Sequence, residues 1–183
     1  MTHLIPHIMD MARAMVFVDG ENLAIRFGDM LKQKGGKTGP NVVYMPNVFV
    51  WSGLLSIRAT GAAVVRKYYY TAVQGDDVVI SEVESQLKRA GIEAPRVFKK
   101  DKSKGSKRVD ISLATDMLLH ATRKHYDYAV LVAGDEDYVP LVKAVQAEGC
   151  RVHVWFVSNG LSPVLQHVAD EYLDLEEFLF PNV

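Results

Sequence analysis

Short β-branched runs alternate with helical patterns along this chain, which predicts an α/β fold with a mostly parallel sheet of five or six strands. Composition supports it: 49% of the 183 residues are hydrophobic and 23% charged, enough apolar side chain for one continuous core. The length suits a single domain better than two.

The first strand is expected over Arg13 to Val18, where R-A-M-V-F-V delivers Asp19 at its end. A helix follows over Leu23 to Lys34, then a glycine-rich loop from Gly35 to Pro40 and a second helix over Pro46 to Thr60. The next strand covers Ala62 to Tyr70. A helix over Asp77 to Ala90 stops at Gly91, which carries no Cβ penalty in the left-handed conformation that ends helices. Strand Glu93 to Phe98 leads through a basic loop, Lys99 to Arg108, into a helix over Ile111 to Lys124. Strand Tyr128 to Ala133, helix Tyr138 to Glu148 closed by Gly149, strand Arg151 to Phe156 and helix Ser162 to Val168 complete the alternation. A short sixth strand is expected at Tyr172 to Leu175. The domain therefore runs over 13–180. Residues 1–12 lack both a basic start and an unbroken apolar stretch, so they read as a disordered extension or a start-site artefact and not as a secretory signal.

No apolar run reaches the roughly 18 to 20 residues that span a bilayer. Cys150 is the single cysteine, which excludes an intrachain disulfide, suits a reducing cytoplasmic compartment and reads as a small buried apolar residue. A formal net charge of -1 gives no global attraction to nucleic acid, so polyanion binding must come from local clustering of positive charge.

In open parallel sheets ligands bind beyond the carboxyl ends of the strands, and three acidic segments are directed there. Asp19 ends the first strand in M-V-F-V-D-G-E-N, Asp135 and Asp137 follow the fourth in V-L-V-A-G-D-E-D-Y, and Asp110 opens the helix after the third. Carboxylates brought that close repel one another unless a cation neutralises them. Their hard oxygens select magnesium or manganese, ions suited to phosphoryl chemistry.

Each residue has a second reading. Asp110 and Asp137 could cap the helices that follow them. Asn22 either orients a water or phosphate near Asp19 or caps a helix. Asp116, six residues beyond Asp110, lies roughly 120° around the helix from it; it reaches the site from the flank, acts through water or a second metal, or is an ordinary polar residue. Asp19 is harder to explain structurally, because a carboxylate between V-F-V and glycine is costly beside a buried sheet unless paired or solvated.

The segments V-D-G-E-N at 18–22, K-R-V-D-I-S-L-A-T-D at 107–116 and A-G-D-E-D-Y-V-P-L at 133–141, with L-Q-H-V-A-D at 165–170, resemble in order and spacing the NYN domains of the LabA-like group, part of the PIN-like superfamily. The resemblance spans Ala14 to Leu175. It implies a single Rossmann-like, three-layer domain and a metal-dependent ribonuclease site carried by Asp19, Asn22, Asp110, Asp135 and Asp137, with Asp116 a further acidic position. There are two departures: Ala133 stands where serine is common, removing a hydroxyl, and Arg108 stands where glycine is common, adding charge beside Asp110.

The basic loop supplies a substrate surface. Lys99, Lys100, Lys102, Lys104, Lys107 and Arg108 outweigh Asp101, and such a loop can hold a phosphate backbone without sequence preference, or be merely solvated. The Tyr68-Tyr69-Tyr70 run offers either base stacking or core packing, with Tyr69 opposite its neighbours. The expected partner is RNA, single-stranded or structured non-coding, with self-association into a homo-oligomer left open.

Other enzyme classes fit less well. A haloacid-dehalogenase-type phosphatase wants aspartate where Glu21 stands, a Toprim site leaves Asp19 and Asp110 without a role, and a dinucleotide-binding loop needs more glycines than Gly20. The rival to catalysis is an RNA-binding or regulatory interaction module that keeps the fold without turnover.

Overall fold

The computed structural model describes residues 11–57, 62–100 and 107–180. A six-stranded sheet lies at its centre, built from β1 (Arg13–Asp19), β4 (Ala63–Val73), β5 (Ala94–Lys99), β6 (Tyr128–Val132), β7 (Arg151–Phe156) and β8 (Glu171–Asp174). The strand order is β5-β4-β1-β6-β7-β8, and every pairing is parallel. Order therefore reverses at β1, whose neighbours are β4 and β6. This is where an open parallel sheet leaves a crevice at its carboxyl edge.

Helices cover both faces and divide the core in two. On one side α1 (Gly20–Gln33), α3 (Asp77–Arg89) and α7 (Glu176–Leu179) pack with Val16, Val18, Tyr69, Val130 and Phe156. On the other, α4 (Lys107–Thr122), α5 (Val139–Ala147) and α6 (Pro163–Val168) cover Phe17, Tyr68, Tyr70, Leu131 and Val154. Strand alternation sends consecutive residues to opposite faces. Hence Tyr69 enters one cluster while Tyr68 and Tyr70 enter the other, and all three are core residues, not stacking platforms. The helices end where their glycines predict: Gly91 has φ 92° and Gly149 φ 80°.

The helix expected over Pro46 to Thr60 does not form. In its place stand an antiparallel hairpin, β2 (Val42–Met45) with β3 (Phe49–Ser52), and a short helix, α2 (Gly53–Ile57); residues 58–61 lie outside the described part. Asn47, at φ 57°, makes the turn. All four residues of β3 are buried, and the side of Val50 not facing β2 is satisfied by a side chain. The Tyr69 hydroxyl accepts from the Val50 N–H and donates to its carbonyl, both at 3.0 Å. Tertiary burial of F-V-W-S as a strand overrides the helical pattern.

The sixth strand is present as β8, shifted by one residue. Residues 1–10, expected to be an extension, lie outside the described residues, and the sheet begins at Arg13. Among the described residues no helix is long and apolar enough to cross a membrane.

Candidate functional site

The first strand leaves Asp19 only 4% exposed at the carboxyl edge of the sheet. Helix α1 begins at Gly20, earlier than the sequence pattern suggests, and Asp19 is its N-cap: the carboxylate accepts from the Asn22 N–H at 3.1 Å. The early start has a steric basis, because a Cβ at position 20 would sit 1.9 Å from the Tyr69 ring. Only glycine lets the chain turn there. Gly134 plays the same part after β6, where a Cβ would meet the Phe156 ring at 2.3 Å and the Gly160 carbonyl at 2.5 Å. The two turns are joined, since the Asn22 side-chain oxygen accepts from the Gly134 N–H at 3.4 Å. Asn22 is thus a brace between β1 and β6 as well as a neighbour of Asp19.

Tyr138 organises the carboxylates, a role that nothing in its sequence context signals beyond its place in the third motif. Its buried hydroxyl lies 3.0 Å from Asp19 Oδ2 and 3.4 Å from Asp110 Oδ1, positioned to donate to either carboxylate. Burial raises the Asp19 pKa to about 7, with the charges of Asp110 and Glu21 adding to the rise against the Asn22 and Tyr138 hydrogen bonds. Asp110 is also raised, by burial first and then by the charges of Asp135, Glu21 and Asp137. Burial together with Asp19 and Asp110 keeps the Tyr138 phenol protonated, so it remains a donor.

Asp110 does not open its helix. Helix α4 starts at Lys107, which puts Asp110 inside the first turn and removes the capping alternative. The cap at the end of β6 is Asp135, whose side chain accepts from the Asp137 N–H at 3.1 Å in the 3₁₀ turn Glu136–Tyr138; Asp137 caps nothing, and α5 begins after Tyr138 without a side-chain cap. A cavity of about 220 Å³ opens between Asp110, Asp135, Asp137 and Tyr138, with Ile111, Ala114 and Leu141 as its apolar wall. A second, more open cleft on the far side of Asp135 is lined by Asn22, Arg26, Glu136 and Ser162.

Asp116 points elsewhere. It accepts from the Tyr70 hydroxyl at 2.8 Å and lies 4.0 Å from Arg96, away from the cavity at Asp110. The helix geometry that separates the two aspartates by about 9 Å along the axis accounts for this. Of the basic loop, Lys99 is exposed and Arg108 lies over the Phe98 ring at 6.0 Å. Lys100 instead pairs with Glu21. Lys102, Lys104 and the side chain of Lys107 lie outside the described residues. Ala133 is fully buried in the core beneath α4 and α5, so the missing hydroxyl is replaced by apolar packing.

Glu21 stands in the V-D-G-E-N segment, but on the sequence reading it has no role in this site. It is a buried acid, its Oε1 bound by Lys100 and its Oε2 without a hydrogen-bond partner among the described residues. Its charge acts on both Asp19 and Asp110. The signal available in the sequence was a second acid two residues after Asp19.

The donor set suits a hard divalent cation: crowded carboxylate oxygens, two of them raised in pKa, and an orphaned buried oxygen on Glu21. Among the described residues, however, no group of three or more His, Cys, Asp or Glu side chains is arranged to hold an ion outright. The expected set of Asp19, Asp110, Asp135 and Asp137 is therefore brought to one edge without forming a closed cage.

No curated protein matches the chain. Among solved structures, a protein of unknown function from Vibrio parahaemolyticus RIMD 2210633 is similar with a TM-score of 0.67 and 19% identity, covering 94% of this chain and 98% of its own; at that identity the likeness concerns the fold. The NYN domain model matches residues 13–176, nearly the whole described sheet and its helices, and the chain belongs to the NYN domain family.

Proposed function

We propose that this NYN domain is a ribonuclease of the LabA-like group that hydrolyses RNA phosphodiester bonds with magnesium or manganese in the cytoplasm. The observation that carries the reading is the pair Asp19 and Asp110 at the carboxyl edge, joined through Tyr138 and flanked by Asp135 and Asp137 beside an open cavity. Asp19, Asp110, Asp135 and Asp137 would hold the ion, with waters completing its shell as magnesium prefers. Such an ion, when bound, activates a water and stabilises a leaving oxygen.

The chain's own residues set the conditions for that chemistry. Tyr138 offers a hydroxyl that can donate to Asp19 or Asp110 and so favours the ionised form of the carboxylate it serves. Asn22 and Asp135 fix the two turns from which the carboxylates project, because each hydrogen-bonds backbone at its own turn or the neighbouring one. The apolar wall of Ile111, Ala114 and Leu141 gives a nucleobase a surface to rest on next to the carboxylates.

The test is cleavage of an end-labelled single-stranded RNA with magnesium or manganese, with EDTA and with the Asp19→Asn variant alongside. Metal-dependent cleavage lost in the variant supports the reading; undiminished cleavage by Asp19→Asn overturns it. The absence of a closed three-carboxylate group among the described residues favours a second reading, an RNA-binding or regulatory module without turnover. RNA binding with no cleavage under either metal would select that one.

A further inference from the structure

The geometry points to a nucleic-acid surface that begins where the 99–108 loop ends and continues beyond it: the face beside α4, running from Arg108 to Arg123, is a track for the phosphodiester backbone of single-stranded RNA. It rests on the ribonuclease reading only for where the strand leads.

Helix α4 packs over β1 and β4 and descends from the carboxylate edge. The edge strand β5 lies beside it, with Arg96 paired to Tyr70 and Phe98 to Ala72 in register. At the top, two residues from Asp110, the Arg108 guanidinium lies 6.0 Å from the Phe98 ring. Midway, Arg96 lies 5.5 Å from the Tyr68 ring. Arg66 precedes Tyr68 by two residues on the same strand and so shares its face, and its charge, with that of Arg123, acts on His120. His120 hydrogen-bonds Tyr68 at 3.0 Å and His125 at 2.8 Å.

Four arginines thus line one face of a protein whose formal net charge is -1. Arg96 has Asp116 at 4.0 Å as a weak counter-charge. Among the described residues Arg66, Arg108 and Arg123 are exposed and enter no ion pair. Their positive charge is not spent within the fold. Planar guanidinium and imidazole groups set against aromatic rings are what a single strand uses, phosphates on the cations and bases against flat faces. An acidic peptide would use the charge but not the planes. From Arg108 to Arg123 is fifteen steps, about 22 Å, which matches on the order of six nucleotides at about 3.4 Å each along a stacked strand. Because Arg108 adjoins Asp110, a strand on this track leads to the carboxylate edge.

The experiment is fluorescence anisotropy of a labelled oligouridine of about twelve nucleotides, twice the track, in EDTA so that no turnover occurs. The wild type, the double variant Arg66→Gln/Arg123→Gln, and Lys32→Gln/Lys88→Gln as a charge-matched control would be compared across about 50 to 200 mM salt. The expected result is binding weakened on the order of tenfold in the arginine variant. The slope of log K against log salt should be shallower by about 1.4, at about 0.7 per lost phosphate contact, with the lysine control unchanged. Equal affinity and slope in the wild type and arginine variant, or no binding by the wild type at low salt, would overturn the track. Cleavage is scored separately in magnesium: arginine-dependent binding without cleavage sinks the ribonuclease reading and keeps the track, whereas cleavage with arginine-independent binding sinks the track alone.

Discussion

The Tyr138 hydroxyl stands 3.0 Å from Asp19 and 3.4 Å from Asp110, so one neutral donor serves two carboxylates whose pKa values are both raised. Removing it in Tyr138→Phe leaves Asp19 with the Asn22 N–H as its remaining hydrogen bond. The Asp19 pKa should then rise further, and the pH at which manganese begins to bind should move upward with it. Titrating manganese affinity between about pH 6 and 9, on either side of the Asp19 pKa, checks this. An unshifted profile would show that Tyr138 does not tune the pair.

Asp19→Asn should abolish metal-dependent cleavage and also change stability with a definite sign. The folded carboxyl titrates at about 7 against an ordinary 3.8, so between those values the folded state keeps a proton that the unfolded chain has released. Its favourable contribution is complete below about pH 4 and disappears as pH rises to 7. The variant, which has no charge to bury, should be more stable than the wild type at pH 8 and lose that advantage towards pH 4. Urea unfolding at the two pH values measures it.

Glu21 and Lys100 form an ion pair with one partly exposed end, side-chain exposures being 12% and 40%. Lys100→Met should cost about 1–2 kcal/mol, less than a fully buried pair because solvent screens the lysine. Adding Glu21→Gln should recover most of that loss, since the buried charge goes with it. A double-mutant cycle by chemical denaturation reads the coupling, and additive single effects would contradict it.

Asp116→Asn should leave manganese affinity and cleavage of a saturating RNA within about twofold of the wild type, in contrast to Asp110→Asn, because losses of ten- to a hundredfold belong to residues that support a ligand. Asp116 serves Tyr70 and Arg96. Removing its charge beside Arg96 should tighten RNA binding at low salt, measured by anisotropy.

Tyr69→Phe should destabilise the domain by about 2–4 kcal/mol, as both buried backbone groups of Val50 lose their partner. The thermal midpoint should fall by roughly 4 to 16 °C at about 2–4 °C per kcal/mol for a chain of this size.

The sheet was legible because its strands are β-branched runs at regular intervals, a local property that burial on both faces demands of parallel strands. The carboxylates at strand ends followed from that reading, since Asp19 and Asp135 stand where strands must stop. Helix starts were less legible: α1 and α4 begin earlier than their apolar periodicity, α1 because Gly20 lets the chain turn against Tyr69. The hairpin at 42–52 was illegible as a strand pair, because its outer backbone is satisfied by Tyr69, a residue nineteen positions away. By itself, then, the sequence determined the strand alternation and which acids stand at the carboxyl edge. Tertiary structure alone decided that Tyr138 bridges Asp19 and Asp110, that Glu21 is buried on Lys100, and that Asp116 turns to Tyr70. These contacts join residues from 28 to 119 positions apart, and no local pattern of polarity encodes which distant side chains the sheet will bring together.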